Sequence, residues 1–246
     1  MKHLGIIAHS VEGAALCFQA FCREGFRELG PHQHPDVSLD CIAMGRSMSH
    51  WDQGEYGLIR SILAESAQRL AHAGADFFVC PDNTAHMALE LPGDALALPG
   101  LHIADVVADR AARDGRERVG VLGTRYLMEG PVYDRALADR GIASEVPRAE
   151  DRERINTIIF DELVNGVFTE SSRQEYVRVI ADLASRGCDA VALVCTEIPL
   201  LVTPDGSPLP TLDSTRLLAG AAFDAAIGRI ALPSWRGGPS RPGAPR

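Results

Sequence analysis

A segment in the first half of this chain recurs in its second half, and this repeat limits the folds open to it. Residues 74–84, GADFFVCPDNT, align without a gap on residues 187–197, GCDAVALVCTE. The offset is 113 residues, the separation between Asp82 and Cys195. Two similar halves predict two pseudo-symmetric units that face one another, with Asp82 and Cys195 on opposite sides of a cleft.

Short apolar runs alternate with longer stretches of helical periodicity in both halves. This alternation is typical of parallel β-α-β units and predicts an α/β fold. The predicted strands are 4–8, 37–43, 76–80, 118–123 and 190–194. The predicted helices are 14–29, 56–73, 84–91, 102–114, 129–140, 151–164, 171–186 and 214–229. We expect two α/β domains, each with a mainly parallel sheet flanked by helices, and an active site in the cleft between them.

The repeat and the element pattern also predict the domain boundaries. The first domain is expected to comprise residues 1–98 and about 207–230, and the second residues 99–206. Residues 233–246 are rich in Gly, Pro, Ser and Arg and have no apolar period. We expect this C-terminal tail to be disordered.

Composition excludes several classes of function. The formal net charge is -9 and Lys2 is the only lysine, which disfavours nucleic-acid binding and a polybasic membrane anchor. No apolar run approaches the roughly 20 residues that span a bilayer, and no signal peptide is evident, so we expect a cytoplasmic protein. The spacing of Cys and His predicts no metal site. Nucleotide-binding glycine motifs and a GxSxG elbow are absent, so we expect no nucleotide cofactor and no serine hydrolase.

Two residues that follow the repeated strand are candidates for acid/base chemistry. Cys195 ends an apolar strand at a point where a helix is predicted to begin, and a helix N-terminus favours a thiolate. Asp82 holds the corresponding position in the first half. Because parallel strands end at one edge of their sheet, chemistry is expected there. An N-cap role is the structural alternative for Asp82.

Other polar residues near these strand ends are candidates for binding or support. Asn83, Thr84 and Thr196 are expected to bind a substrate carboxylate. Arg46 and Ser47 follow the second strand, where Arg46 could bind a side-chain carboxylate. Three further residues are candidates for supporting roles: His9, His86 and Glu197.

The two motifs, CPDNTAH at 80–86 and VCTEIPLL at 194–201, resemble those of the aspartate/glutamate racemase superfamily. That superfamily has Cys-Asn-Thr-Ala-His in its first half and Cys-Thr-Glu in its second. The resemblance implies two pseudo-symmetric domains, no cofactor, and two cysteines that act on opposite faces of Cα. It also implies a homodimer, a substrate carboxylate held by Asn83, Thr84 and Thr196, and Ser10 and Thr124 nearby.

The chain departs from this pattern because Asp82 replaces the first catalytic cysteine. A carboxylate with an ordinary pKa of about 3.9 is a weak base for a Cα proton. Three hypotheses follow. The protein is an amino-acid racemase or epimerase that uses Cys195 and Asp82. Alternatively, Cys195 acts alone on a dicarboxylate, as in a decarboxylase, lyase or isomerase. In the third, the site binds an acidic metabolite without turnover.

Overall fold

Eight short strands form two separate four-stranded parallel sheets in the computed structural model, which describes residues 1–240. The sheets have the same strand order, β2-β1-β3-β4 and β6-β5-β7-β8. The strands are β1 Leu4–Ala8, β2 Val37–Cys41, β3 Phe77–Val79, β4 Gly100–Leu101, β5 Arg118–Leu122, β6 Ala143–Glu145, β7 Ala190–Leu193 and β8 Thr211–Asp213. The predicted α/β class with two parallel sheets is confirmed.

Helices flank each sheet and bury its central strands. The first-sheet helices are α1 Val11–Leu29, α2 Met48–Asp52, α3 Tyr56–His72, α4 Ala85–Leu89 and α11 Ser214–Ala226. The others are α5 Ile103–Arg113, α6 Arg125–Glu129, α7 Pro131–Ala138, α8 Ala149–Asp161, α9 Glu170–Ser185 and α10 Ile198–Leu201. Every residue of β1, β3 and β7 is buried, as expected for strands covered on both faces.

The structure differs from the predicted elements mainly at short or interrupted segments. The expected helix 129–140 is α7, which begins at Pro131 after Gly130, and the short helix α6 before Gly130 was not predicted. The edge strands β4, β6 and β8 were not predicted, since runs of two or three residues carry no readable period.

The register of the strands reproduces the sequence repeat. Gly5 of β1 lies opposite Phe78 of β3, and Gly120 of β5 lies opposite Val191 of β7. The pair Phe78 and Val191 has the 113-residue offset of the repeat. The glycines of the two central strands, Gly5 and Gly120, serve a packing need, because a Cβ on Gly120 would lie 2.8 Å from Leu183. The equivalent Cβ on Gly5 would also lie within 3.2 Å of a helical leucine.

The repeated aspartate joins neighbouring strands in both units. The backbone N–H of Asp76 donates to the carbonyl of His3, and its carboxylate accepts from the backbone N–H of His3. Asp189 makes the corresponding pair of hydrogen bonds with Arg118. Glycines at positive φ, Gly74 and Gly187, lie two residues before these aspartates. They allow the chain to leave the preceding helix and enter the strand.

The chain divides into two compact units, and both boundaries differ from the expected ones. The first unit is Met1–Ile103 with the described residues from Thr215 onward, and the second is Ala104–Ser214. Residues 207–214 were expected in the first domain but belong to the second unit. The reason is that β8 (Thr211–Asp213) pairs with β7 at the edge of the second sheet.

The expectation of a disordered tail is wrong for residues 233–240. The indole of Trp235 packs on Phe78 and stacks on His86 at an interplanar angle of 13°. The backbone of this segment bonds to the first unit at several points: Gly100 N–H to Trp235 O, Leu96 N–H to Arg236 O, and Gly238 N–H to Leu89 O. One aromatic side chain and three hydrogen bonds outweigh the turn-rich composition. The rest of the predicted tail, 241–246, lies outside the described residues.

Within residues 1–240, no helix has the length and apolar character needed to span a membrane.

The packing of Trp235 gives a test of this C-terminal segment. We expect Trp235→Ala to destabilise the protein by roughly 2 kcal/mol, because it removes a partly buried ring of the first core. For a chain of this length the melting temperature should fall by about 4–8 °C. Differential scanning calorimetry measures this shift. Leu232→Ala, a large-to-small change at an exposed residue nearby, is the matched control and should leave Tm within about 2 °C. Equal melting temperatures of Trp235→Ala and Leu232→Ala would contradict a structural role for the segment 233–240.

Candidate active site

The first unit brings three polar side chains together at the carboxyl edge of its sheet. His9 directly follows β1, and Asp82 lies three residues after β3. Ser47 follows a 3₁₀ turn, Met44–Arg46, that continues the chain after β2. Since β1 lies between β2 and β3, the three residues converge on one point of the sheet edge.

These side chains form a hydroxyl–imidazole–carboxylate chain. His9 Nδ1 lies 2.5 Å from Asp82 Oδ2, and His9 Nε2 lies 2.8 Å from Ser47 Oγ. The Ser47 hydroxyl also lies within donating distance, 2.9 Å, of the Met44 carbonyl. Ser47 is fully buried, so its hydroxyl is not open to a substrate as the nucleophile of a hydrolase would be. Sequence reasoning singled out all three residues but did not join them.

The charges of His9 and Asp82 stabilise one another. Burial lowers the pKa of His9, but the hydrogen bond and negative charge of Asp82 raise it above its ordinary value. Burial by itself would raise the pKa of Asp82. The hydrogen bond and charge of His9, together with the N–H of Ala85, outweigh burial, so this pKa lies below its ordinary value. Both shifts favour an imidazolium beside a carboxylate over the neutral form of the pair.

Asp82 is also fixed through the start of α4. The N-cap residue of α4 is Thr84 and not Asp82, but Asp82 Oδ1 accepts a hydrogen bond from the first helical N–H, that of Ala85, at 3.2 Å. The ring of His86 lies 3.0 Å from the Asp82 carbonyl and approaches the Ile103 N–H through its other nitrogen. Burial, with the charge of His102, lowers the pKa of His86 to about 3. A neutral His86 therefore supports the backbone of Asp82.

The second unit places a thiol beside a carboxylate. Cys195 lies two residues after β7 and is partly buried, and its Sγ donates to Glu197 Oε2 at 3.0 Å. Glu197 is 6% exposed. The expected effect of a helix N-terminus on the thiol is weak, because α10 is only four residues long and a single turn has a small dipole. The group that acts on the Cys195 thiol is therefore the carboxylate of Glu197, with thiol and acceptor two residues apart.

Two aromatic residues near these groups were missed by sequence reasoning. Tyr176 of α9 is fully buried in the second core, against which Cys195 packs. Burial raises the pKa of its phenol, and the negative charges of Cys195 and Glu197 add to that effect. In the first unit, the Trp51 ring centroid lies 6.4 Å from that of His9. Neither aromatic belongs to a sequence motif, so no signal in the chain marked them.

The residues expected to bind a carboxylate follow the central strands of the two sheets, β1, β3, β5 and β7. Asn83 is 3% exposed and Thr84 is partly buried, and both connect Asp82 to α4. Thr196 is 8% exposed and directly follows Cys195. Thr124 is buried at the start of α6, just after β5. Ser10 is the N-cap of α1, and its hydroxyl accepts from the Gly13 N–H.

The structure does not bring Arg46 to the Asp82 cluster. Its guanidinium is about half exposed and lies 2.8 Å from Glu65 Oε2 on α3. Glu65 also pairs with Arg69 of the same helix. Arg46 is thus part of a surface ion-pair network, whereas its neighbour Ser47 points into the buried chain.

Across residues 1–240, no three His, Cys, Asp or Glu side chains are grouped as a metal ion would require.

Comparison with known proteins links this chain to one family. The model of the Asp/Glu/Hydantoin racemase family matches residues 22–222. The broad specificity amino-acid racemase RacX of Bacillus subtilis is 23% identical over 168 residues, which cover 65% of this chain and 69% of RacX.

Solved structures agree with that assignment. A protein from Yersinia pestis assigned as an Asp/Glu racemase is 33% identical, with a TM-score of 0.83 over 92% of this chain and 100% of its own. An aspartate racemase homologue from Pyrococcus horikoshii shares the fold at 24% identity, with a TM-score of 0.77 and the same coverage of both chains. The chain therefore belongs to the Asp/Glu/hydantoin racemase family, whose named racemases are isomerases.

Proposed function

We propose that this protein is a cofactor-independent amino-acid racemase or epimerase that uses Cys195 and Asp82 as its two acid/base groups. One observation carries the proposal. The two positions that correspond in the repeat both hold a titratable group with a hydrogen-bonded second group: Asp82 with His9, and Cys195 with Glu197. Membership of a racemase family supports this chemistry.

In the proposed reaction, Cys195 takes the Cα proton and Asp82 returns a proton to the opposite face. Glu197 is placed to accept the thiol proton, which leaves a thiolate as the base. The carbanion is stabilised next to the substrate carboxylate. We assign that carboxylate to Asn83, Thr84 and Thr196, because fixed donors are most effective where charge develops.

The proposal names α-amino acids as the substrate class without choosing a side chain. An acidic substrate would need a cation for its second carboxylate, and the candidate for that role, Arg46, is paired with Glu65. The similar RacX is named for broad specificity. The substrate set should therefore include acidic, neutral and basic amino acids.

One-sided chemistry is the second candidate, and one observation favours it. The contacts of Asp82 with His9 and Ala85 lower the pKa of its carboxyl, which weakens it as a base. A decarboxylase or lyase acting on a dicarboxylate would need only Cys195 to move a proton. The two candidates differ in whether the configuration at Cα is inverted.

The direct test is proton NMR in deuterated water with both enantiomers of each amino acid and with a malonate-type acid. A racemase removes the Cα–H signal from both enantiomers, and chiral chromatography shows matching inversion. Exchange without inversion, or loss of a carboxylate, would instead support one-sided chemistry. No exchange and no loss from any compound would contradict both.

Replacing the thiol tests the base. We expect Cys195→Ala to lower both Cα–H exchange and inversion by about 10²–10⁴-fold, the usual contribution of a positioned base. Cys41→Ala is the matched control, because Cys41 is an exposed cysteine on β2. It should retain wild-type rates in the same NMR assay. Full exchange activity in Cys195→Ala would remove this residue from the mechanism.

Replacing the Asp82 carboxylate tests the proposed return of a proton to the second face of Cα. Asp82→Asn keeps the size of the side chain but cannot carry the proton, so we expect inversion to fall by about 10²-fold or more. Asp82→Cys restores a titratable group whose proton affinity is closer to that of Cys195, and should keep or raise inversion. Chiral chromatography of product from each enantiomer measures both effects. Unchanged inversion in Asp82→Asn would exclude Asp82 as the second group.

A further inference from the structure

The short contact between His9 and Asp82 requires a proton on the line that joins them. At 2.5 Å, a nitrogen lone pair facing a carboxylate oxygen would be strongly repelled. A proton between them converts the repulsion into a charge-assisted hydrogen bond, which is the short and strong kind. Both side chains are largely buried, at 2% and 12% exposure, so water does not screen the contact.

Ser47 makes the doubly protonated form of His9 acceptable in this buried place. The Nε2–H donates to Ser47 Oγ, and the hydroxyl in turn donates to the Met44 carbonyl. Every polar atom of the imidazolium is then satisfied. If Nε2 loses its proton, the same hydroxyl can rotate and donate to it, so neither form leaves an unpaired buried group.

The neighbouring titratable groups do not compete for this proton. On α4, His86 is kept neutral by burial and by the charge of His102, with a pKa of about 3. Burial raises the pKa of the Cys17 thiol on α1 to about 12. Burial, together with the charge of Asp82, also raises the pKa of Cys80, just after β3, well above its ordinary value. The exchangeable proton therefore belongs to His9 and Asp82.

The second unit carries the opposite arrangement. There a thiol donates to a carboxylate, Glu197, which can accept its proton. The His9–Asp82 pair is neutral overall and holds a proton that it can give. The Cys195–Glu197 pair includes an acceptor for one proton.

We propose that His9, oriented by Ser47, is a positioning residue that shares one proton with Asp82. In the resting enzyme this shared proton makes Asp82 the group that donates a proton to Cα, while Cys195 serves the opposite side. This inference rests on the proposed racemase function and deepens it. Glu197 first takes the thiol proton, and the Cys195 thiolate then forms an S–H bond as the Cα–H bond breaks. A new Cα–H bond forms with the proton delivered through Asp82, and the N–H bond of His9 Nδ1 breaks. Water then returns a proton to the pair and removes one from the Cys195–Glu197 pair.

The first part of the test measures the proton and does not depend on turnover. In protein with ¹⁵N-labelled histidine, the His9 signals are identified by their absence from His9→Gln. We expect both ring nitrogens to be protonated at pH 6.5 in the wild type. In Asp82→Asn the deprotonation midpoint should be lower, because burial then acts without the carboxylate. A neutral His9 at pH 6.5, or no change in Asp82→Asn, would overturn the shared proton.

The second part separates proton removal from proton return. In deuterated water, His9→Gln should reduce inversion by about 10-fold or more. Cα–H exchange of the faster-exchanging enantiomer should fall less than about 3-fold, because Cys195 still removes the proton and returns deuterium from its own face. His50→Gln, a histidine paired with Glu55 outside the cluster, is the matched control and should change neither rate. An equal fall in exchange and inversion would reduce His9 to a structural role.

The dependence of the inversion rate on pH distinguishes a proton donor from a residue with a purely structural role. Because the pKa of His9 is raised, its proton is present below that value and is lost as pH rises through it. Inversion by the wild type should therefore decline on the alkaline side, and Asp82→Cys, which alters the partner of His9, should shift that limb. If the inversion rate of Asp82→Cys declined over the same alkaline pH range as that of the wild type, the assignment of His9 and Asp82 as the proton donor would be overturned. If the wild type inverts no amino acid, the proposed function fails and the donor role with it, while the NMR titration still decides whether the proton is shared.

Discussion

The parallel pairing of β1 with β2 and β3 is the constraint on which the cluster of His9, Ser47 and Asp82 depends, and the pairing of β5 with β7 gives the second unit the same frame. Parallel strands end at the same edge, so residues that directly follow two neighbouring strands meet without any contact in sequence. His9 and Asp82 are 73 residues apart and yet form the shortest link of the first cluster. The glycines at positions 5 and 120 support this pairing, because they let the helices pack closely on the central strands.

The same backbone frame carries different chemistry in the two units. Repeat-related positions hold Asp82 in one and Cys195 in the other, and each has acquired its own partner. Asp82 is joined to an imidazole from the neighbouring strand, whereas Cys195 is joined to a carboxylate two residues along its own chain. Two units with the same strand order can therefore carry different candidate acid/base groups. In the proposed reaction, one of these groups removes a proton and the other returns one.

The surroundings of Asp82 show how a core supports a site. His86 is hydrogen-bonded to the carbonyl of Asp82 through Nδ1, and Trp235 stacks on the ring of that histidine. The C-terminal segment thus lies behind the residues that hold the candidate acid/base group. A composition rich in Gly, Pro and Arg concealed this role, because one aromatic side chain and a few backbone hydrogen bonds suffice to order a short segment.

The sequence by itself determined the α/β class, the repeat, most of the long elements and the family, because these depend on periodicity and on contiguous motifs. It also marked Asp82, Cys195, His9, Ser47, Glu197 and His86 as candidates. Only the tertiary structure decided which of them touch. It joined His9 to Asp82 and Ser47, turned Arg46 towards Glu65, and placed β8 in the second unit. The physical reason is that strand order and side-chain direction bring distant residues together, and neither is encoded in local spacing.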